Sequence, residues 1–339
     1  MELSLFVMCI LTVVSMASAN PIIDEEWEIW KQSYAKSYPR VEEDQARRAV
    51  WLENLEKIAA HNAQYSQGNS TYEMSMNQFG DLTPMEFVQL YTDARIYEMA
   101  NYMDEALLDV EVEELEEVEE VGALPRSVDW SQTDLVGKVQ NQGPCLSCYA
   151  FGAIGALEGQ LAKRTQQYKE LSVQNVIDCS DKYKNYGCQG GIPYRAFQYI
   201  RDNGIESSKS YPYKAKKNTE CLFSSSKSVT TIKGFRRIKH YEDKKLAEMV
   251  ASVGPIAVII HSSHPSWMFY KSGIYDNDEC NIKHIDHVVL LVGYVDLHPK
   301  GYWIIKNSWG PNWGEDGYMR LIKGKNMCGI NYSASYPVI

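Results

Sequence analysis

The residues best placed to do chemistry are one cysteine, one histidine and one asparagine far apart in the chain. Cys148 ends the stretch Gln142-Gly143-Pro144-Cys145-Leu146-Ser147-Cys148, and the run Ala150 to Leu161 that follows reads as a helix. A thiol at a helix mouth meets unpaired N–H groups and the positive end of the dipole, a setting expected to lower its pKa. His287 stands before the apolar run Val288 to Val292, and Asn307-Ser308-Trp309-Gly310 lies about twenty residues further on. A thiol, an imidazole and an amide are the parts of a nucleophile, its base and the group that orients the base. Three plainer readings compete. Cys145-x-x-Cys148 alone fits a redox pair or half a zinc site, but no second such pair and no thioredoxin-like pattern accompany it. His284 and His287, three apart on a strand, point to opposite faces and make a poor metal pair. A lone strand histidine is by default structural, and only its company argues otherwise. No metal and no cofactor are expected.

These residues must be brought together by a chain of 339 residues, enough for two lobes or domains. A composition of 45% hydrophobic and 12% aromatic residues argues against disorder. The net charge of −10 divides unevenly: about −18 on residues 1–123 and about +8 on 124–339. Opposite fields of this kind predict that the two parts bind each other. The basic residues are scattered and no nucleic-acid motif accompanies them, so nucleic acid is not an expected partner. Residues 1–19 read as a signal peptide, with an apolar run from Leu3 to Val14 and then Ala17-Ser18-Ala19. That run is too short to span a bilayer, so a membrane partner is not expected either. Of eight cysteines, seven follow Cys9. An odd number suits three disulfides and one free thiol in an oxidising compartment, with fifteen connectivities open.

Residues 24–66 are helical in pattern, and Glu43, Arg47, Trp51, Asn54, Ile58 and Asn62 fall on one face. Arg and Asn on a buried stripe predict specific hydrogen bonds. Asn77, Phe79 and Asp81 follow at alternate positions, then Thr83-Pro84-Met85-Glu86, which predicts a capping box with Pro in the first turn. Asn69-Ser70-Thr71 is a loop N-glycosylation triplet. Asn331-Tyr332-Ser333 fits the same triplet but is expected in a buried strand, unmodified. The acidic run 104–120 reads as a solvated linker, with Leu108, Val112, Leu115 and Val118 as a weak helical stripe. Beyond Leu124, helices are expected at 148–162, 172–178 and 193–202. Strands follow at Val253–Ile260, Asp286–Tyr294, Tyr302–Ser308 and Gly317–Ile322, a helical lobe followed by an antiparallel one.

Cys145-Leu146-Ser147-Cys148-Tyr149, with His287 about 140 and Asn307 about 160 residues later, resembles the signature of the papain family of cysteine proteases. The face of 43–62 and the Asn77/Phe79/Asp81 block resemble propeptides of its cathepsin L branch. Leu124-Pro125-Arg126-Ser127-Val128-Asp129-Trp130 resembles the start of a mature enzyme. The resemblance implies an α+β papain-like fold of two lobes, a helical lobe and an antiparallel β-barrel lobe, behind a helical propeptide domain. It divides the chain into a signal peptide at 1–19, an inhibitory propeptide at 20–123 and a peptidase at 124–339. It implies a cysteine endopeptidase made as a zymogen, in the secretory pathway and then the lysosome or outside the cell. Cys148 would be the nucleophile, His287 the base, Asn307 its orienting group, and Gln142 an oxyanion donor, with Trp309 covering the His287–Asn307 bond. The implied disulfides are Cys145–Cys188, Cys179–Cys221 and Cys280–Cys328.

Gly190 and Gly191 would pair with an extended substrate. Ile192, Pro193, Ile259, Ile285, Val288 and Ser333 would line the pocket for the side chain two before the scissile bond. None is charged, so a hydrophobic side chain is expected there. Partners implied are protein and peptide substrates, the chain's own propeptide and cystatin-like inhibitors, with a monomer as the default. Three residues depart from the family pattern: Leu146 where glycine is usual, Tyr149 where tryptophan is commoner, and Val288 where a small residue is usual. Leu146 keeps an alternative open, a protease fold retained for binding or inhibition without useful turnover. A second alternative, a thiol–disulfide enzyme, requires a free Cys145.

Overall fold

The computed structural model describes residues 21–102, 124–239, 241–297 and 300–339. The expected signal peptide and the acidic run 104–120 lie outside these residues.

The N-terminal part contains α1 (Pro21–Ser33), α2 (Val41–Ser66), β1 (Tyr72–Met74), α3 (Pro84–Tyr91) and α4 (Arg95–Tyr102). The helical pattern over 24–66 is therefore made of two helices. Ala35 takes φ 51°, and Pro39 lacks the N–H a continuous helix needs. Across the break, Trp27, Trp30 and Trp51 form a small aromatic core. Arg47, Asn54 and Asn62 on the α2 face each bond to backbone, while Glu43 pairs with the Arg40 side chain. Arg47 donates to the Asp81 carbonyl and the Glu86 carboxylate, Asn54 to the carbonyls of Gly80 and Leu82, and Asn62 exchanges bonds with Met74. Asp81 accepts from Lys36 and Tyr38. Thr83 and Glu86 form the full capping box of α3.

The body begins with β2 (Ser127–Asp129), then α5 (Cys148–Thr165), α6 (Val173–Cys179) and α7 (Pro193–Asn203). There follow β3 (Ile205–Glu206), β4 (Ser228–Thr230), β5 (Gly234–Lys239), α8 (Asp243–Val253), β6 (Ile256–Ile260) and α9 (Pro265–Met268). The chain closes with β7 (Tyr270–Tyr275), β8 (His287–Val295), β9 (Tyr302–Lys306), β10 (Tyr318–Ile322) and β11 (Ser333–Val338). The strand expected from Val253 starts at Ile256, because Gly254 at φ 118° ends α8 and Pro255 follows. Asn331 stands in a turn before β11 rather than on a strand, where it is 8% exposed and donates to Asp243.

The main sheet runs β1-β7-β10-β9-β8-β6-β11-β5, with β2 also on β8. Its pairings are antiparallel except β7 with β10, which is parallel. β8 is buried along both faces, as its unbroken run of apolar residues requires. One hydrophobic core lies in this sheet lobe and a second surrounds α5, α6 and α7.

The N-terminal part adds to both cores. Ile58, Tyr72, Met74, Phe79, Leu82 and Phe87 belong to the sheet core, and Ile96 and Ala100 to the helical one. β1 extends the sheet beside β7, where a Cβ on Gly273 (φ 97°) would lie 2.5 Å from the Thr71 carbonyl. The acidic run 104–120, which carries much of the expected charge complementarity, lies outside the described residues. Among the described residues, every ion pair of the N-terminal part is internal to it. Apolar burial and hydrogen bonds hold the described parts together, such as Asn77 to the Met268 carbonyl at 2.7 Å.

Candidate active site

α5 carries Cys148 at its first residue and packs against β8, whose first residue is His287. The approach is close: a Cβ on Gly152 would lie 2.6 Å from Val288 Cγ1. Cys145 is bonded to Cys188, which ties the loop before α5 to the loop before α7. Cys179–Cys221 and Cys280–Cys328 are the other disulfides, and Cys148 is the free cysteine among the described residues. Cys145 is thus unavailable for redox exchange. Leu146 keeps a negative φ and its N–H donates to the Cys188 carbonyl, so this turn does not demand glycine. Tyr149 is fully buried and donates to the Gly187 carbonyl.

His287 is fully buried, and its Nε2 donates to Asn307 Oδ1 at 2.8 Å. Asn307 Oδ1 also accepts from the Ser308 N–H at 2.8 Å, so a carbonyl oxygen faces the imidazole and its tautomer is fixed with the proton on Nε2. Nδ1 has no hydrogen-bond partner among the described residues. Trp309 stacks on the imidazole, with ring centroids 4.7 Å apart. Gln142 is buried and fixed at both ends. Ser308 Oγ donates to its Oε1 at 2.6 Å, and its Nε2 donates to the Cys145 carbonyl at 3.1 Å, leaving a second N–H on that amide.

The six residues expected to line the pocket are all buried. Ile259 and Val288 are paired across β6 and β8. Ile192, Ile259, Ile285 and Val288 are buried in one cluster, with Pro193 and Ser333 buried at the first residues of α7 and β11.

This site is covered. The Asp93 N–H donates to the Asp286 carbonyl at 2.7 Å, and Asp93 Oδ2 lies 1.7 Å from where a Cβ on Gly190 would stand. Gly190 (φ 99°) therefore has to be glycine while Asp93 is in place. Ile96 is buried in the same apolar cluster as Val288. Gln78 donates to the Trp309 carbonyl, and Phe79 and Phe87 meet the indole edge-on.

Covering the site sets its electrostatics. Burial pushes the Cys148 thiol up to about 12, aided by the nearby Asp93 and Asp286 carboxylates and opposed by the Val288 and Tyr149 N–H groups. Burial lowers His287 to about 4, against the bond to Asn307. The expectation of a depressed thiol pKa is thus reversed in this state, because desolvation of the anion outweighs the helix-terminal N–H groups. Thiol and imidazole are both neutral at pH 7.

Residues 124–338 match the family model for "Papain family cysteine protease", and residues 27–87 match "Cathepsin propeptide inhibitor domain (I29)". The chain belongs to the papain family of cysteine proteases. It is similar to cathepsin K of Mus musculus, 41% identical over 335 residues and 98% of each chain. Procathepsin L of the same species is also 41% identical, over 99% of this chain and 98% of the relative. The solved digestive procathepsin L 3 of Tenebrio molitor larval midgut superposes with a TM-score of 0.81 at 37% identity, covering 94% of this chain and 99% of that one. The protein is a cathepsin L-like cysteine endopeptidase, and its N-terminal part is an inhibitory propeptide domain.

Several residues that contact or hold the site carry no local sequence signal. Asp93 carried no motif, and its position over Gly190 is visible only once the propeptide is docked. Asp286 stands beside His287 in sequence, but its burial and its bonds from the Ser262 N–H and Oγ are tertiary facts. Burial raises its carboxyl to about 7. Ser308 and Tyr213, which hold Gln142 through its side chain and its carbonyl, were also missed.

Proposed function

We propose that this chain is a zymogen whose mature enzyme, 124–339, cleaves peptides through Cys148, His287, Asn307 and Gln142, with 20–123 as propeptide and 1–19 as signal peptide. His287, anchored on one side by Asn307 and unpartnered on the other, is the observation that carries this reading. Once the cleft is open, water and substrate reach the pair, and Nδ1 takes the thiol proton. The Cys148 sulfur then attacks the scissile carbonyl carbon. The oxyanion accepts from the Cys148 N–H and the second Gln142 Nε2–H. His287 returns its proton to the leaving amine. A water molecule, deprotonated by His287, then hydrolyses the thioester and restores the thiol.

Acid favours opening through His287. Its pKa is depressed in the covered state, so its contribution to covering holds above about 6.5 and is lost as pH falls towards 4. Asp93 opposes this, since burial raises its pKa and acid relieves its cost. Crowded carboxylates in the 104–120 run add a second acid-sensitive element, tested by the activation pH after changing the glutamates from Glu111 to Glu120 into Gln. An unchanged midpoint would remove that element.

The apolar pocket supports preference for a hydrophobic residue two before the scissile bond, and Ile96 is the propeptide's substitute for it. The exposed loop site of Asn69 supports glycosylation there, hence passage through the secretory route to lysosome or exterior. Cystatin-like inhibitors that enter the same cleft are proposed partners of a monomeric enzyme. The test is acid activation followed by a hydrophobic-residue–Arg fluorogenic dipeptide, with Cys148→Ala as control. Hydrolysis by wild type alone supports the reading; a folded, processed sample without turnover overturns it.

A further inference from the structure

Near the last described residues before 124, the segment over the cleft meets a buried cation with no acidic partner among the described residues. Arg195 lies in the first turn of α7, two residues past Pro193, and is 4% exposed. Its Nη1 donates to the Lys184 carbonyl and touches Met99 Sδ of α4 at 3.6 Å. Its Nε has no partner among the described residues, and no carboxylate there pairs with it. Arginine is rarely buried without an acidic partner, because desolvating the charge is costly.

The order of propeptide contacts locates this cation in the cleft. Asp93 lies over Gly190 beside the nucleophile, Ile96 is buried with the pocket residues, and Met99 reaches Arg195. In chain order these contacts run from Gly190 through the apolar cluster of the pocket to Arg195, which argues that Arg195 stands beyond the residue two before the scissile bond. Next to it, Arg237 lies over the Tyr194 ring at 4.5 Å and donates to the Ala100 carbonyl at 3.0 Å. Removing the propeptide takes away both Met99 and Ala100, and uncovers Arg195.

We propose that Arg195 makes the mature enzyme select Asp or Glu at the third or fourth position before the scissile bond. The inference rests on the protease reading of this cleft and adds a substrate class to it: acidic residues upstream of a hydrophobic one. The guanidinium fork suits a carboxylate, whose two oxygens accept from Nε and Nη in parallel. The partly desolvated walls of the cleft strengthen the pair relative to an exposed one.

The test uses acid-activated full-length protein and quenched fluorescent peptides that differ only at the third or fourth position, as Glu, Gln or Lys. At one of these positions the wild type is expected to cleave the Glu peptide with kcat/KM roughly five- to tenfold above the Gln peptide, and the Lys peptide below both. The preference shrinks as salt is raised. Arg195→Gln brings Glu and Gln peptides within about twofold of each other, and Arg195→Lys keeps part of the preference. Equal wild-type rates on Glu and Gln peptides overturn the inference and leave the protease reading intact, as does a preference that survives Arg195→Gln. Failure to cleave every peptide overturns both. The wild-type comparison and Arg195→Lys decide the matter if Arg195→Gln does not fold.

Discussion

The indole of Trp309 lies on the imidazole of His287, centroids 4.7 Å apart and planes 26° apart. On its edges the same indole receives Phe79 and Phe87 of the propeptide, at 5.8 and 5.1 Å. One residue thus screens the His287–Asn307 bond and anchors the inhibitor. Replacing Phe79, 2% exposed, by Ala removes an aromatic contact and leaves a cavity, a loss of about 3–5 kcal/mol. In Cys148→Ala protein, which cannot process itself, Phe79→Ala is expected to lower the midpoint of propeptide release in urea. In the active chain it should raise the pH at which processing starts.

Gln142 is held ready by Ser308 and Tyr213 before any substrate arrives. Gln142→Ala is expected to cut kcat by roughly 100- to 1000-fold with KM little changed, because the lost donor acts on charge that develops in the transition state. Steady-state kinetics on one fluorogenic peptide checks it. Ser308→Ala should give a smaller fall of the same kind.

Val288 sits across from Ile259 and leans on α5 at Gly152. Val288→Ala is expected to enlarge the pocket and move the ratio of kcat/KM for Phe over Leu, two before the bond, upward by about tenfold. Competition between two labelled peptides measures this ratio directly. Growth of the Leu preference instead would show that Val288 does not bound the pocket.

Glu158 is buried on α5, accepting from the Leu171 N–H and the Tyr168 hydroxyl, and burial raises its carboxyl to about 7. A raised carboxyl favours the fold fully below about 4.5, and that share is lost as pH rises through about 7. Glu158→Gln keeps an acceptor for the Leu171 N–H and removes the titration. Between pH 4.5 and 8 the wild type should lose up to about 3 kcal/mol relative to the variant, in denaturant midpoints taken on Cys148→Ala protein.

The sequence by itself determined the local settings of Cys148, His287, Asn307 and Gln142, because each sits in a short run whose neighbours fix its backbone. Pro144 and the Cys145 loop stop the chain before α5, and an unbroken apolar run makes β8. The capping box of α3 and the polar stripe of α2 were legible for the same reason, being local in spacing. What the spacing could not carry was anything decided by which surfaces meet. Pro39 and the left-handed turn at Ala35 divide the helical pattern of 24–66, and the parallel β7–β10 pair depends on where distant strands land. The largest reversal is electrostatic. A helix mouth favours a thiolate, but the tertiary structure lays Asp93 and Ile96 over the cleft and excludes water from Cys148 and His287. Desolvation then keeps both neutral. A pKa is a property of the solvent around a group, and only the folded, covered chain decides where that solvent is.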